Sequence, residues 1–259
     1  MDKTTSEGKC IYCSKTYKKA GINRHLAKHL EDESATNPKG KSFHINIEAN
    51  PRWGNAPYFL SVLMDGNAKM KVLDDFLRSI WLECCGHLSA FRIPQRRQGG
   101  TMFDFLEAER LLEEDKIEEY EVLMETSMGE IPMGRKAQEV FYEGMKLEYE
   151  YDFGSSTELL VSVLGEYSFK PKSRVLLLSR NEPLDIQCET CGKAIATEVC
   201  TVCSGYEDEG IFCTKCAKKH AKNCEDFEDY AAMPIVNSPR MGVCAYEGGI
   251  IDTERDRIR

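Results

Sequence analysis

The sequence predicts an α+β fold: a compact central domain of mainly antiparallel sheet packed with helices, flanked by small zinc-binding modules. Three observations predict it. Apolar residues alternate with period two in several central segments and follow helical spacing in another; a Cys/His spacing of the zinc-finger kind precedes them; three C-x2-C pairs follow. With 259 residues the chain can bury a sizeable core. The division that follows is a C2H2-like zinc finger over 1–35, a linker over 36–41, an α+β domain over 42–185, a cysteine-rich double-zinc module over 186–226 and a tail over 227–259.

Residues 1–35 are polar and slightly basic and run into the turn-like NPKGKS (37–42). Within them, KCIYCSKTYKKAGINRHLAKHL has C-x2-C, eleven intervening residues and H-x3-H. Zinc takes four soft or borderline ligands in a tetrahedron; a knuckle supplies two thiolates, and histidines four apart bring two imidazoles to one helix face. Cys10, Cys13, His25 and His29 are therefore candidate ligands, with Tyr17 and Ile22 as apolar support. The stretch resembles a C2H2 zinc finger whose Cys-to-His spacing is one short of the commonest. A single finger reads only about 3 base pairs. Lys15, Lys18, Lys19, Arg24 and Lys28 offer contacts to phosphates, and docking to nucleic acid or to protein both remain open.

In the central region, Phe43, Ile45 and Ile47 alternate as in a strand, and YFLSVLM (58–64) reads as a more deeply buried one. Leu73, Phe76, Leu77, Ile80 and Trp81 follow helical spacing; 88–93 reads as a short strand and PQRRQGG (94–100) as a loop. The acidic run FDFLEAERLLEEDKIEEYEVLM (103–124) reads as one helix with Phe105, Leu106, Leu112, Ile117 and Tyr120 on its apolar face. Its other face is solvated or docks a basic partner. Leu147, Tyr149 and Tyr151, a turn at Gly154, and Thr157, Leu159, Val161 and Val163 form the clearest hairpin, and 174–179 adds a strand. Trp53, Tyr58 and Trp81 read as core.

Cys84, Cys85 and His87 read as buried cysteines at a helix end beside a hydrogen-bonded histidine. A nucleophile would need an activating base, and a metal would need converging ligands that the neighbouring sequence lacks. An enzyme site near Cys84, Cys85, His87 and Asp152 is the alternative. Cys244 reads as a spare thiol or a poorly placed ligand.

From Cys188 the composition shifts to cysteine pairs: Cys188 and Cys191, Cys200 and Cys203, Cys213 and Cys216, followed by His220 and Cys224. Eight ligands imply two zinc ions, with an iron–sulfur cluster as the chemical alternative. In CTKCAKKHAKNC, Cys216, His220 and Cys224 fall at i, i+4 and i+8 of one helix face. A cross-brace pairs Cys188, Cys191, Cys213 and Cys216 at one ion and Cys200, Cys203, His220 and Cys224 at the other, and a sequential pairing stays open. Either is closed, so the role is structural, and about three zinc ions per chain are expected.

Charge limits the partners. The 34 Lys and Arg against 43 Asp and Glu give −9, and 104–130 alone, with eleven acidic and two basic residues, carries that excess. Seven thiolates on two divalent ions in the C-terminal module add −3, taking the loaded chain to −12. Broad attraction to polyanions is disfavoured, although a local basic patch could still bind. No apolar run approaches the roughly 18 residues of a membrane span. The opening MDKTTSEGKC has no apolar signal core, so a cytoplasmic, reducing setting is expected, in which twelve cysteines favour metal over disulfides.

VLDDFLRSIWLECCGHLSAFRI (72–93) and LEYEYDFGSSTELLVSVLGE (147–166) resemble the two signature segments of the plasmid pRiA4b ORF-3-like family: a helix ending near a Trp, an HL-x2-F strand and a Y-x-YDFG hairpin. The tail is also similar to that of members with C-x2-C knuckles after an RNEP-type segment (180–183), ending in NSPRMGVC (237–244). The resemblance implies a compact α+β domain in a family whose molecular function is largely uncharacterised. DFG here is not a kinase signature, because no H-R-D loop, glycine-rich loop or V-A-I-K strand accompanies it. The expected function is zinc-dependent and non-enzymatic: a recognition or scaffold module for a protein or nucleic-acid partner, with no membrane and no small-molecule substrate. The alternative is a nucleic-acid-binding regulator using the N-terminal finger.

Overall fold

The computed structural model describes residues 6–49, 57–94, 102–120, 123, 129–204 and 209–256, with side chains of 102–105 excepted. Trp53, the loop over 95–100, the Phe105 side chain and the end of the acidic run lie outside the described residues. The chain divides into two compact units, Met1–Phe76 with Leu88–Arg180, and Leu77–His87 with Asn181–Arg259.

The first unit opens with an antiparallel hairpin, β1 (Glu7–Lys9) and β2 (Thr16–Lys18), followed by helix α1 (Lys19–Thr36). Strands β3 (Ser42–Ala49) and β4 (Phe59–Asp65), helix α2 (Met70–Leu77) and strand β5 (Ser89–Arg92) come next. Helix α3 (Met102–Glu113), a single-turn α4 (Ala137–Val140) and strands β6 (Lys146–Tyr151), β7 (Thr157–Tyr167) and β8 (Val175–Arg180) complete the unit. The sheet has the order β5-β6-β7-β3-β4-β8 with every pair antiparallel, so the fold is α+β with a six-stranded central sheet.

Why β4 reads as a continuous apolar run follows from its two faces. Leu60, Val62 and Met64 share a face with Ile47, Ile45 and Phe43 through the β3–β4 register. Phe59 and Leu63 emerge on the opposite face, where Ile22, Leu26 and Leu30 of α1 pack with them and with Phe169 and Leu178. A strand covered on both sides needs no polar alternation. β6, by contrast, keeps strict alternation of buried Leu147, Tyr149 and Tyr151 with half-buried Glu148 and Glu150. Several polar groups on the α1 side are paired: Asn23 Nδ2 donates to Asn46 Oδ1 (2.9 Å), Lys19 meets Glu48 (3.3 Å), and His44 Nε2 lies 2.7 Å from Ser61 Oγ.

The acidic run departs from a single amphipathic helix. α3 ends at Glu113; Asp115 is left-handed (φ 57°), its N–H donates to Leu112 O and the Lys116 N–H to Leu111 O, the paired hydrogen bonds of a Schellman stop. The buried residues are Ala108 and Leu111, while Leu106, Leu112 and Ile117 are exposed. Leu106 lies two positions before Ala108, on the other side of the helix, and the stop resets the phase for Ile117.

In the second unit the chain makes a π-helical turn over Arg78–Leu82, then strands β9 (Glu198–Cys200) and β10 (Ile211–Phe212), helix α5 (Thr214–His220), a second π-helical turn over Phe227–Ala231 and strand β11 (Ala232–Pro234). The three strands pair antiparallel in the order β10-β9-β11. The first π turn is tied to the last segment of the chain: Ser238 Oγ donates to Trp81 O (2.7 Å) and the Ile250 N–H to Ser79 O (2.8 Å). Trp81 is fully buried.

Candidate metal centres

Among the described residues, four groups of Cys and His bring their ligand atoms within 4.8 Å of one another, and each could hold a metal ion. The first joins Cys10, Cys13, His25 and His29. The β1–β2 turn forms the knuckle, with the Ser14 N–H donating to Cys10 O and the Cys10 N–H to Lys15 O, and Ser14 in a left-handed conformation (φ 59°). α1 carries the two histidines on one face; His25 Nε2 lies 3.2 Å from Cys13 Sγ and 3.2 Å from His29 Nε2. Tyr17 stacks on His25 and Tyr12 on His29. Burial first, then the charge on His29, holds His25 below its ordinary pKa, which favours the neutral ring a metal requires.

The tail cysteines group in the crossed pairing, Cys188, Cys191, Cys213 and Cys216 in one set and Cys200, Cys203, His220 and Cys224 in the other. Gly192 (φ 59°) turns the first knuckle, its N–H donating to Cys188 O, and α5 begins just after Cys213. In the second set Cys203 Sγ is 3.6 Å from His220 Nε2 and Cys200 Sγ is 4.0 Å from Cys224 Sγ. Cys216, His220 and Cys224 do not act as one helical face: α5 stops at His220, and a turn closed by the Cys224 N–H on His220 O (3.0 Å) delivers Cys224. Phe212 stacks on His220 and Phe227 meets it edge-on. Burial and the surrounding thiols push Cys216 up to about 12; Cys188, despite its own burial, is held down at about 6 by the backbone N–H groups of Cys213 and Cys191. A divalent cation relieves such crowding by binding the thiolates.

The fourth group, Cys84, Cys85, His87 and Cys244, corrects the reading of two buried cysteines and, for Cys244, favours the ligand alternative over the spare thiol. Cys85 and Cys244 are exposed and Cys84 half-buried. Cys244 Sγ lies 3.6 Å from both Cys85 Sγ and His87 Nε2. Gly86 (φ 74°) reverses the chain between Cys85 and His87, with its N–H on the Glu83 carboxylate (2.6 Å), while Arg78 donates to Glu83 (2.8 Å) and to His87 O (2.6 Å). Arg240 Nη2 donates to Cys84 Sγ at 3.4 Å. The sequence signal was present in C-C-x-H, but its fourth member lies 157 residues beyond His87 and no spacing rule reaches that far. Asp152 serves a turn: left-handed (φ 66°), it accepts the Gly154 and Ser155 N–H groups on Oδ1. No described helix is long and apolar enough to cross a membrane.

No family model and no curated protein matches the chain. Among solved structures it is similar to a protein of unknown function from Methanosarcina mazei Go1, with 14% identity over 74% of this chain and 87% of that one and a TM-score of 0.38.

Proposed function

We propose that this is a zinc-loaded, non-enzymatic cytoplasmic protein whose ions are structural and whose surfaces recognise a macromolecular partner, in the first place another protein. The observation that carries the reading is the completeness of the donor sets. One has two cysteines and two histidines, one four cysteines and one three cysteines and a histidine, so each offers four ligands and leaves no position for substrate. Bonds of about 2.3 Å to sulfur and about 2.05 Å to nitrogen give tetrahedral edges of about 3.8 Å between sulfurs, about 3.6 Å between sulfur and nitrogen and about 3.3 Å between nitrogens. The separations of 4.0 and 3.6 Å in the Cys200, Cys203, His220 and Cys224 set and of 3.2 and 3.2 Å in the Cys10, Cys13, His25 and His29 set lie within a few tenths of an ångström of those edges. Mixed Cys/His sets suit zinc better than iron–sulfur clusters, which favour four thiolates.

Protein is favoured over nucleic acid by the charge of −9 and by the seating of α1, whose Ile22, Leu26 and Leu30 face the sheet. Arg24 and Lys28 remain exposed on the finger. The resemblance of 72–93 and 147–166 to the pRiA4b ORF-3-like family fits a central domain of this kind. The test is binding of zinc-loaded protein to random DNA and RNA pools across a salt series, with Cys10→Ser alongside. No binding at low salt is expected. Steeply salt-dependent binding that Cys10→Ser abolishes would replace this reading with a finger-guided nucleic-acid regulator.

A further inference from the structure

Beyond the three closed centres, we infer that Cys84, Cys85, His87 and Cys244 form a fourth zinc site, which faces solvent and exchanges its ion ahead of the others. Cys244 Sγ stands 3.6 Å from Cys85 Sγ and 3.6 Å from His87 Nε2, close to the sulfur–sulfur edge of about 3.8 Å and the sulfur–nitrogen edge of about 3.6 Å around one zinc ion. A disulfide would need the sulfurs at about 2.05 Å. Three thiolates and one imidazole make a donor set of the same kind as Cys200, Cys203, His220 and Cys224.

The backbone is arranged to hold these groups together. The Cys84–His87 loop leaves a π-helical turn, a local irregularity that recurs at functional sites, and its reversal at Gly86 is pinned by Glu83 and Arg78. Cys244, not a glycine, occupies a left-handed conformation (φ 55°), strain that a free surface thiol has no reason to bear. Buried Ser238 ties its own segment to Trp81 O, so the tail bearing Cys244 is registered against the loop through bonds outside the cluster. Three thiolates on one divalent ion leave one negative charge, and the buried Arg240 guanidinium donating to Cys84 Sγ lies against it, as an outer partner that tunes a ligand should.

Exposure separates this site from the other three. Each of those includes at least one buried cysteine, whereas here Cys85 and Cys244 are exposed and Cys84 and His87 half-buried. A chelator therefore reaches this ion without the unit having to open. Wild type, Cys244→Ser and Cys85→Ser, all zinc-saturated and gel-filtered, are compared by metal released on denaturation and by native release to a chromogenic chelator. Both substitutions are at exposed positions, and unchanged amide circular dichroism verifies the fold. Each variant is expected to carry one equivalent less than wild type and to lack the fastest phase of native release. Equal zinc content and equal release kinetics in all three proteins overturn the site, as does a Cys85–Cys244 disulfide in protein isolated and digested anaerobically. The readout is the difference between wild type and variant, so it does not depend on how much metal the three closed centres hold.

Discussion

At the scale of single residues, burial sets the chemistry of His44. Desolvation under α1 pushes its pKa from the ordinary 6.5 down to about 4. The folded chain keeps the ring neutral while the unfolded chain takes up a proton below about 6.5. The associated stability is therefore complete above that pH and is lost as pH falls from about 6.5 towards about 4. Between pH 7.5 and 5.5 this one group should cost about 1.3 kcal/mol. Urea titrations of wild type and His44→Asn at those two pH values check it: the variant should lose about that much less, and parallel losses would sink the assignment. None of this is legible in the sequence, where His44 is simply a polar position between Phe43 and Ile45; only the packing of α1 turns its face of the strand inward.

At the scale of elements, the close approach of the β1–β2 hairpin to the edge strand β8 decides what residue 8 can be. A Cβ on Gly8 would stand 2.5 Å from Ser179 Oγ, 2.7 Å from the Phe59 ring and 2.9 Å from Arg180 O. The hydroxyl can rotate aside, but the ring and the carbonyl cannot. Gly8→Ala should cost about 1–3 kcal/mol of urea stability with metal content unchanged. Gly21, inside α1 with open space around it, is the control, and Gly21→Ala should stabilise by about 0.5–1 kcal/mol. Two stabilities that move together would refute the close seating of the hairpin. What the sequence revealed of the elements follows range. The β6–β7 hairpin, β3, β4 and the C-x2-C knuckles are written in neighbouring residues and could be read directly. The helix stop at Asp115 was hidden because an aspartate in a left-handed turn leaves little trace in an acidic run, and β9, β10 and β11 are too short to show a period.

At the scale of the molecule, the two units draw stability from different sources. The first has a sheet with apolar side chains on both sides of β4. Within the second, one cluster consists largely of the ligand cysteines with Phe212, Ala217, Phe227 and Ala231, and another of Ala196, Val199, Met233 and Ile235. Cores this small would gain most from a metal staple at the ligand cysteines. Strong chelation should therefore raise amide exchange across 188–236 at least to the level of a locally unfolded segment while β3 and β7 stay protected, as hydrogen-exchange mass spectrometry would show. Uniform loss of protection in both units would contradict it. The units are also not segments of sequence: Leu77–His87 belongs with the C-terminal part, an association carried by backbone bonds such as Ile250 N–H to Ser79 O that leave no compositional mark. The hairpin's bond from the Ile11 N–H to Leu178 O has a consequence for the life of the chain in a cell. It lies on the outermost strand of the sheet, whose VLLLSR is a ready template for another strand. If a metal ion at Cys10, Cys13, His25 and His29 holds the hairpin in place, a chain starved of it would bare that strand together with Phe59 and Leu63, so supply of that metal should govern how fast newly made protein aggregates or is degraded.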